Sequence, residues 1–188
     1  MSPRLVFFIC SLSGLAVWSC STPKVPYNKV EDYNAVMKRL LLTDSGLFRG
    51  VNMGATPASV KATEKTMKPD EEEENYLSYS IAFPDTIQCA YYYDFDGGGL
   101  NEIGINIYRT KAKNFDWLFT SLKQYFTKKY GNPETEKALL VWYVKNQGKE
   151  GAQITLGDES ADYGYGELTL TIFPFQSQVD PTEKEAKP

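Results

Sequence analysis

Histidine is absent from the 188 residues. The Ser-His-Asp and Cys-His catalytic arrangements, His-ligated zinc sites and the one side chain that titrates unperturbed near neutrality are excluded with it. Cysteine is scarce, at Cys10, Cys20 and Cys89 only. Basic charge is in deficit, with 20 Lys and Arg against 24 Asp and Glu for a net charge of −4. No positive field is available to hold a phosphate backbone, which excludes nucleic acid as a partner. Long apolar runs are lacking too: the longest, residues 5–17, is 13 residues, whereas a spanning helix needs roughly 20.

That run follows a short start carrying Arg4, which is the layout of an export signal over residues 1–19 rather than of a retained anchor. Val17-Trp18-Ser19-Cys20 resembles the cleavage box of bacterial lipoproteins, Trp18 being unusual in it. The resemblance implies that Cys20 becomes the first residue, with acyl chains on its sulfur and amine, and two or more chains anchor stably. Ordinary cleavage near Ser19, leaving Cys20 a free thiol, is the alternative. Ser21 is not the Asp that retains some lipoproteins in the inner membrane, so the resemblance favours an outer-membrane location facing the periplasm. With Cys10 removed and Cys20 acylated, Cys89 is the one thiol left, in an alternating stretch where a Cys is a small core residue. No histidine is present to activate it.

Residues 20–29 hold Pro23 and Pro26 and read as an extended linker. The nine residues from Ser21 to Lys29, at ~3.1 Å each, reach roughly 28 Å. Residues 176–188 are polar, lack apolar periodicity and read as a disordered tail. Between them lies an expected domain, residues 30–175. Val30, Tyr33, Met37, Leu40 and Leu41 recur at helical spacing. Thr56-Pro57 opens a second helix, reaching about Met67. The acidic run at 70–74 (DEEEE) reads as a solvated loop.

Three alternating stretches follow: Leu77 to Phe83, Ile87 to Phe95, and Ile103 to Ile107, the last two joined by Asp96-Gly97-Gly98-Gly99 as a hairpin. A longer helix carries Phe115, Leu118, Phe119, Leu122, Phe126 and Tyr130 on one stripe, starting at Asn114 and stopped by Gly131 and Pro133. Three more stretches end the domain, around Leu140–Val144, Ala152–Leu156 and Leu168–Ile172. The expected fold class is α+β: after an N-terminal helix, two helix-plus-three-strand units, at about 56–110 and 114–174, form an antiparallel sheet with helices on one face.

The segment Phe48-Arg49-Gly50-Val51-Asn52-Met53-Gly54-Ala55-Thr56-Pro57-Ala58-Ser59-Val60 resembles the Gly-x-x-x-Gly-Met-Thr-x-x-x-Val opening of small outer-membrane assembly lipoproteins and the related β-lactamase inhibitor protein-like domains. Residues 92–100 (YYDFDGGGL) are similar to their hairpin. Ala55 stands where that motif commonly carries Met. The resemblance implies helices before a short antiparallel sheet whose exposed face or loops bind another protein.

Candidate chemistry is sparse. Asp94, Asp96 and Glu102 flank the glycines, but a calcium loop started at Asp94 has Ile105 where the bidentate Glu belongs. Asp158, Glu159 and Asp162 sit in another loop, and nothing in the spacing brings the two acidic groups together for glycoside chemistry. No cofactor or metal is implied. If the odd positions of the second and third stretches face the helices, Tyr92 and Tyr108 face away, with Tyr143 and Phe173 doing so in the second unit. Aromatics on an open sheet face suit a protein interface, because they bury large area at low entropy cost. The alternatives are that tyrosine simply tolerates a solvated strand, or that the first helix covers this face. The leading expectation is a non-enzymatic, lipid-anchored envelope protein that binds another envelope protein through Tyr92, Tyr108, Tyr143 and Phe173. The competing one is a periplasmic metal- or glycan-binding protein or hydrolase using the acidic loops.

Overall fold

The computed structural model describes residues 29–110, 115–146 and 149–175. The expected export signal, Cys20, most of the expected linker, Asn114 and the expected tail lie outside the described residues. After a 3-10 turn at Val30–Asp32, helix α1 spans Ala35–Leu41. The single helix expected from Val30 is therefore broken. Asn34 takes an extended conformation and its side chain accepts from the Met37 amide at 3.0 Å, which starts α1 afresh. Helix α2, Pro57–Thr63, begins where the sequence places it, with the Thr56 hydroxyl accepting from the Ser59 amide.

Strands β1 (Glu71–Glu73), β2 (Tyr76–Ala82), β3 (Ile87–Asp96) and β4 (Gly99–Arg109) follow. Then come α3 (Asp116–Tyr130), β5 (Glu134–Glu136), β6 (Leu139–Asn146), β7 (Lys149–Asp158), α4 (Ser160–Tyr163) and β8 (Gly166–Phe175). All eight strands form one antiparallel sheet in the order β1-β2-β3-β4-β8-β7-β6-β5. The β3–β4 turn has Gly97 and Gly98 at φ of 57° and 80°, the two left-handed positions that a two-residue hairpin demands.

The α+β class and the antiparallel sheet hold, but the two three-strand units do not. Each of α2 and α3 is followed by four strands, because the acidic run read as a loop forms β1 and a similar segment forms β5. A three-residue strand exposed throughout needs no apolar alternation, only a neighbour to bond. Charged residues at both edges also discourage pairing with another chain.

One cross-strand row runs through Glu71, Ser78, Tyr92, Gly104, Thr171, Thr155, Val141 and Glu134. Glu71, Ser78 and Tyr92 thus occupy in the first half the places of Glu134, Val141 and Thr155 in the second. The halves are related by an approximate two-fold between Gly104 and Thr171.

One face of the sheet makes the core. Leu77, Tyr79, Cys89, Ile105, Leu170, Ile154 and Trp142 join Met37, Leu40, Val60, Leu118, Leu122 and Phe126 from the helices in one buried cluster. Tyr125, outside the expected stripe of α3, is buried too, whereas Phe119 is only partly so.

Within this apolar layer sits a buried ion pair. Arg49 and Glu64 are 2% and 1% exposed, and the guanidinium donates through Nε and Nη2 to the two carboxylate oxygens at 2.6 and 2.8 Å. Arg49 Nη1 donates to the carbonyls of Arg39 and Leu40, satisfying the end of α1. The hydroxyls of Tyr91 and Tyr93 donate to Glu64 at 3.2 and 2.8 Å, and the guanidinium lies 4.9 Å from the Tyr91 ring centroid. Burial pulls the Arg49 pKa down, but the hydrogen bond and facing charge of Glu64 carry it above its ordinary value. Burial first, with the charge of Glu64 adding to it, pushes both phenols upward.

Removing one partner strands the other as a buried charge, which costs about 3–5 kcal/mol. Arg49→Met and Glu64→Leu should each lose that much in urea melts, and the double variant should lose less than the two losses added together. Additive losses would show that the pair is not coupled. The tyrosines have raised folded values, so the stability they contribute is complete below the unfolded phenol value near pH 10 and is lost as pH rises above it. A Tyr91→Phe/Tyr93→Phe variant should show a shallower alkaline loss than the parent.

Candidate functional site: the open face of the sheet

The residues that alternate with the core positions point away from the helices. On β3 and β4 these include the half-buried Ala90, Tyr92, Asp94, Glu102, Asn106 and Tyr108, with Gln88 exposed and Gly104 buried on the same face. On β8 they include Thr169, Thr171 and Phe173, and on β6 they include Tyr143. The structure therefore puts all four aromatics singled out from the sequence on one face.

It brings three of them to the same end. Gln153 pairs with both Tyr143 and Phe173, and the row of Tyr76, Asp94 and Glu102 approaches from the other half, with Tyr92 one step along. Tyr108 lies apart. It stands four positions along β4 from Gly104, about 13 Å at strand rise, and its neighbours are Gln88 and Glu167.

Two further aromatics complete the band. The Tyr76 ring stacks on Tyr92 at 5.7 Å between centroids, and Phe175 meets Tyr143 at 4.7 Å. Each continues a period-two pattern at a strand end, which was the signal available in the sequence.

Tyr92 is held in place. Its hydroxyl donates to Glu102 Oε1 at 2.6 Å, and its ring lies over Gly104, where an added Cβ would meet it at 2.2 Å. Burial first, then the hydrogen bond and charge of Glu102, raise the phenol's pKa. Tyr143 is likewise tied through its hydroxyl to Glu136 at 2.6 Å, and that bond raises its pKa. Both hydroxyls are therefore engaged within the sheet.

The acidic groups of the competing reading are separated by use. Asp94 and Glu102 pair across β3 and β4 on the open face, while Asp96 sits opposite Gly99 at the hairpin. Asp158 Oδ1 accepts from the Ser160 amide and Glu159 from the Thr169 hydroxyl, which fixes the turn around α4. Among the described residues no group of three or more Cys, Asp or Glu could hold a metal ion. Cys89 is 1% exposed, and burial pushes its thiol up to about 12, which leaves it unreactive near neutrality. A cleft of about 430 Å³ lies at the hairpin end, lined by Asn52, Met53, Asp96, Asn101, Ala152 and Pro174.

The segment that carries the resemblance folds as a bridge between Phe48 and Val51 leading into the capped start of α2. Comparison with protein-family models, curated proteins and solved structures finds no match to this chain. The functional reading therefore starts from the face itself.

Gly104→Ala should displace the Tyr92 ring, break its bond to Glu102 and cost about 1–3 kcal/mol as an overpacked site. The same substitution made in a Tyr92→Ala background should cost less. Equal costs in both backgrounds, measured by thermal melts, would show that the ring does not rest on Gly104.

Proposed function

We propose that this chain is a non-enzymatic envelope lipoprotein, held by acyl chains on Cys20 at an outer membrane facing the periplasm, that binds another envelope protein through the open sheet face. The observation that carries the reading is the aromatic band of Tyr76, Tyr92, Tyr143, Phe173 and Phe175 on the face opposite the helical layer. Two of its rings, Tyr92 and Tyr143, are held through their hydroxyls by Glu102 and Glu136, so docking a partner against them orders little that is mobile, and aromatic anchors lose few rotamers on burial. The resemblance of residues 48–60 and 92–100 to assembly lipoproteins supports the same class. The two halves, each a helix followed by strands, are read as a repeated unit whose joint at β4 and β8 makes the face continuous.

Tyr92→Ala/Tyr143→Ala/Phe173→Ala should abolish photo-cross-linking to the partner in intact cells, while Tyr108→Ala, remote from the band, should leave most of it. Undiminished cross-linking in the triple variant would remove the band from the interface. The anchor is checked separately: Cys20→Ser should shift the protein from the membrane to the soluble fraction, and mass spectrometry of the parent should find acyl chains on its first residue.

A further inference from the structure

We propose that the occupant of the open face is a basic protein segment, whose lysines and arginines lie across the aromatic band. The proposal rests on the reading of that face as a protein-binding surface and adds the chemistry of what is bound.

The charge pattern carries it. Glu73 pairs with Tyr76 at one edge, and Glu134 lies on the same face at the other. Asp94 and Glu102 stand directly opposite each other between them. Like charges in a cross-strand pair repel, and among the described residues neither takes part in an ion pair. The basic residues of the eight strands are Arg109, Lys145 and Lys149, all at or next to strand ends. Lys38, Arg39 and Lys123 are exposed on the helices instead, as is Lys61, which pairs with Glu72.

A cation placed between Asp94 and Glu102 would relieve their repulsion and lie next to the stacked Tyr76 and Tyr92 rings, whose faces attract positive charge. Carboxylates on β1, β3, β4 and β5 reach from one edge of the eight-stranded sheet to the other, about 34 Å at ordinary strand spacing, and match a chain of charges rather than one ion. An extended segment of roughly ten residues spans that width.

The test uses the mature full chain in neutral detergent, titrated with a fluorescent oligolysine peptide and followed by anisotropy. Glu73→Gln/Asp94→Asn/Glu102→Gln neutralises the face and keeps an acceptor for the Tyr92 hydroxyl. Glu31→Gln/Asp70→Asn/Asp162→Asn removes the same charge at other positions. The face variant should bind about tenfold more weakly than the parent, as three modest charge pairs would give, and lose most of its salt dependence. The control variant should bind nearly as the parent does. The melting temperature of the face variant should equal or exceed that of the parent, which shows that its loss of binding is not unfolding.

Equal weakening in both variants, or no oligolysine binding by the parent, overturns the proposal. If the aromatic triple variant still abolishes cross-linking in cells, the binding face survives and only the basic partner is lost. If cross-linking is also unaffected, both readings fail. Light scattering that finds the parent self-associated and the face variant monomeric would assign the face to a second copy, and that too overturns the proposal.

Discussion

The arrangement of the first half depends on a single charge kept away from water. Arg49 reaches the ends of two helices and a strand at once: the carbonyls of Arg39 and Leu40, the carboxylate of Glu64, and the ring of Tyr91. A buried pair of this kind returns little net stability, because desolvation consumes most of the attraction. It does restrict the arrangement, since any packing that separates the partners leaves a bare charge inside. Among the described residues the second half has no such device. In the places of Tyr91 and Tyr93 it has Ile154 and Leu156, so its strands are held to α3 by apolar packing with Phe126 and Trp142. Two halves with the same strand plan are thus locked by different physics.

This difference explains why the open face can be aromatic without being loose. In the first half polar atoms are used on both sides of β3, toward Glu64 on the inside and toward Glu102 on the outside. Gly104 is the residue that permits the outer arrangement, because its missing side chain leaves room for the Tyr92 ring at the centre of the sheet. The second half fills the same row with Thr171, Thr155 and Val141.

Much of the architecture was legible in the sequence. Period-two alternation located β2, β3, β4, β6, β7 and β8, the glycines located the hairpin, and Thr56-Pro57 located the start of α2. The edge strands were not legible, because glutamates paired on one side only follow no hydrophobic pattern. Nor was the Arg49–Glu64 pair. Each residue looks like an ordinary surface charge until the fold closes around it, and their separation of 15 in sequence marks them as partners through no helical or strand repeat. The outward phase of Tyr92, Tyr108, Tyr143 and Phe173 followed from alternation, but which of them are neighbours follows from the joining of β4 to β8, a long-range pairing that local pattern does not encode.

The open-face strands carry carboxylates and few lysines, whereas α1 and α3 carry Lys38, Arg39, Lys123 and Lys128 beside Asp116, which gives the domain a modest electrical sense perpendicular to the sheet. Near any negatively charged surface such a body experiences a torque as well as a force. Within the roughly 8–10 Å over which charges are felt in physiological salt, it turns its helices toward that surface and its tyrosines toward the open aqueous side.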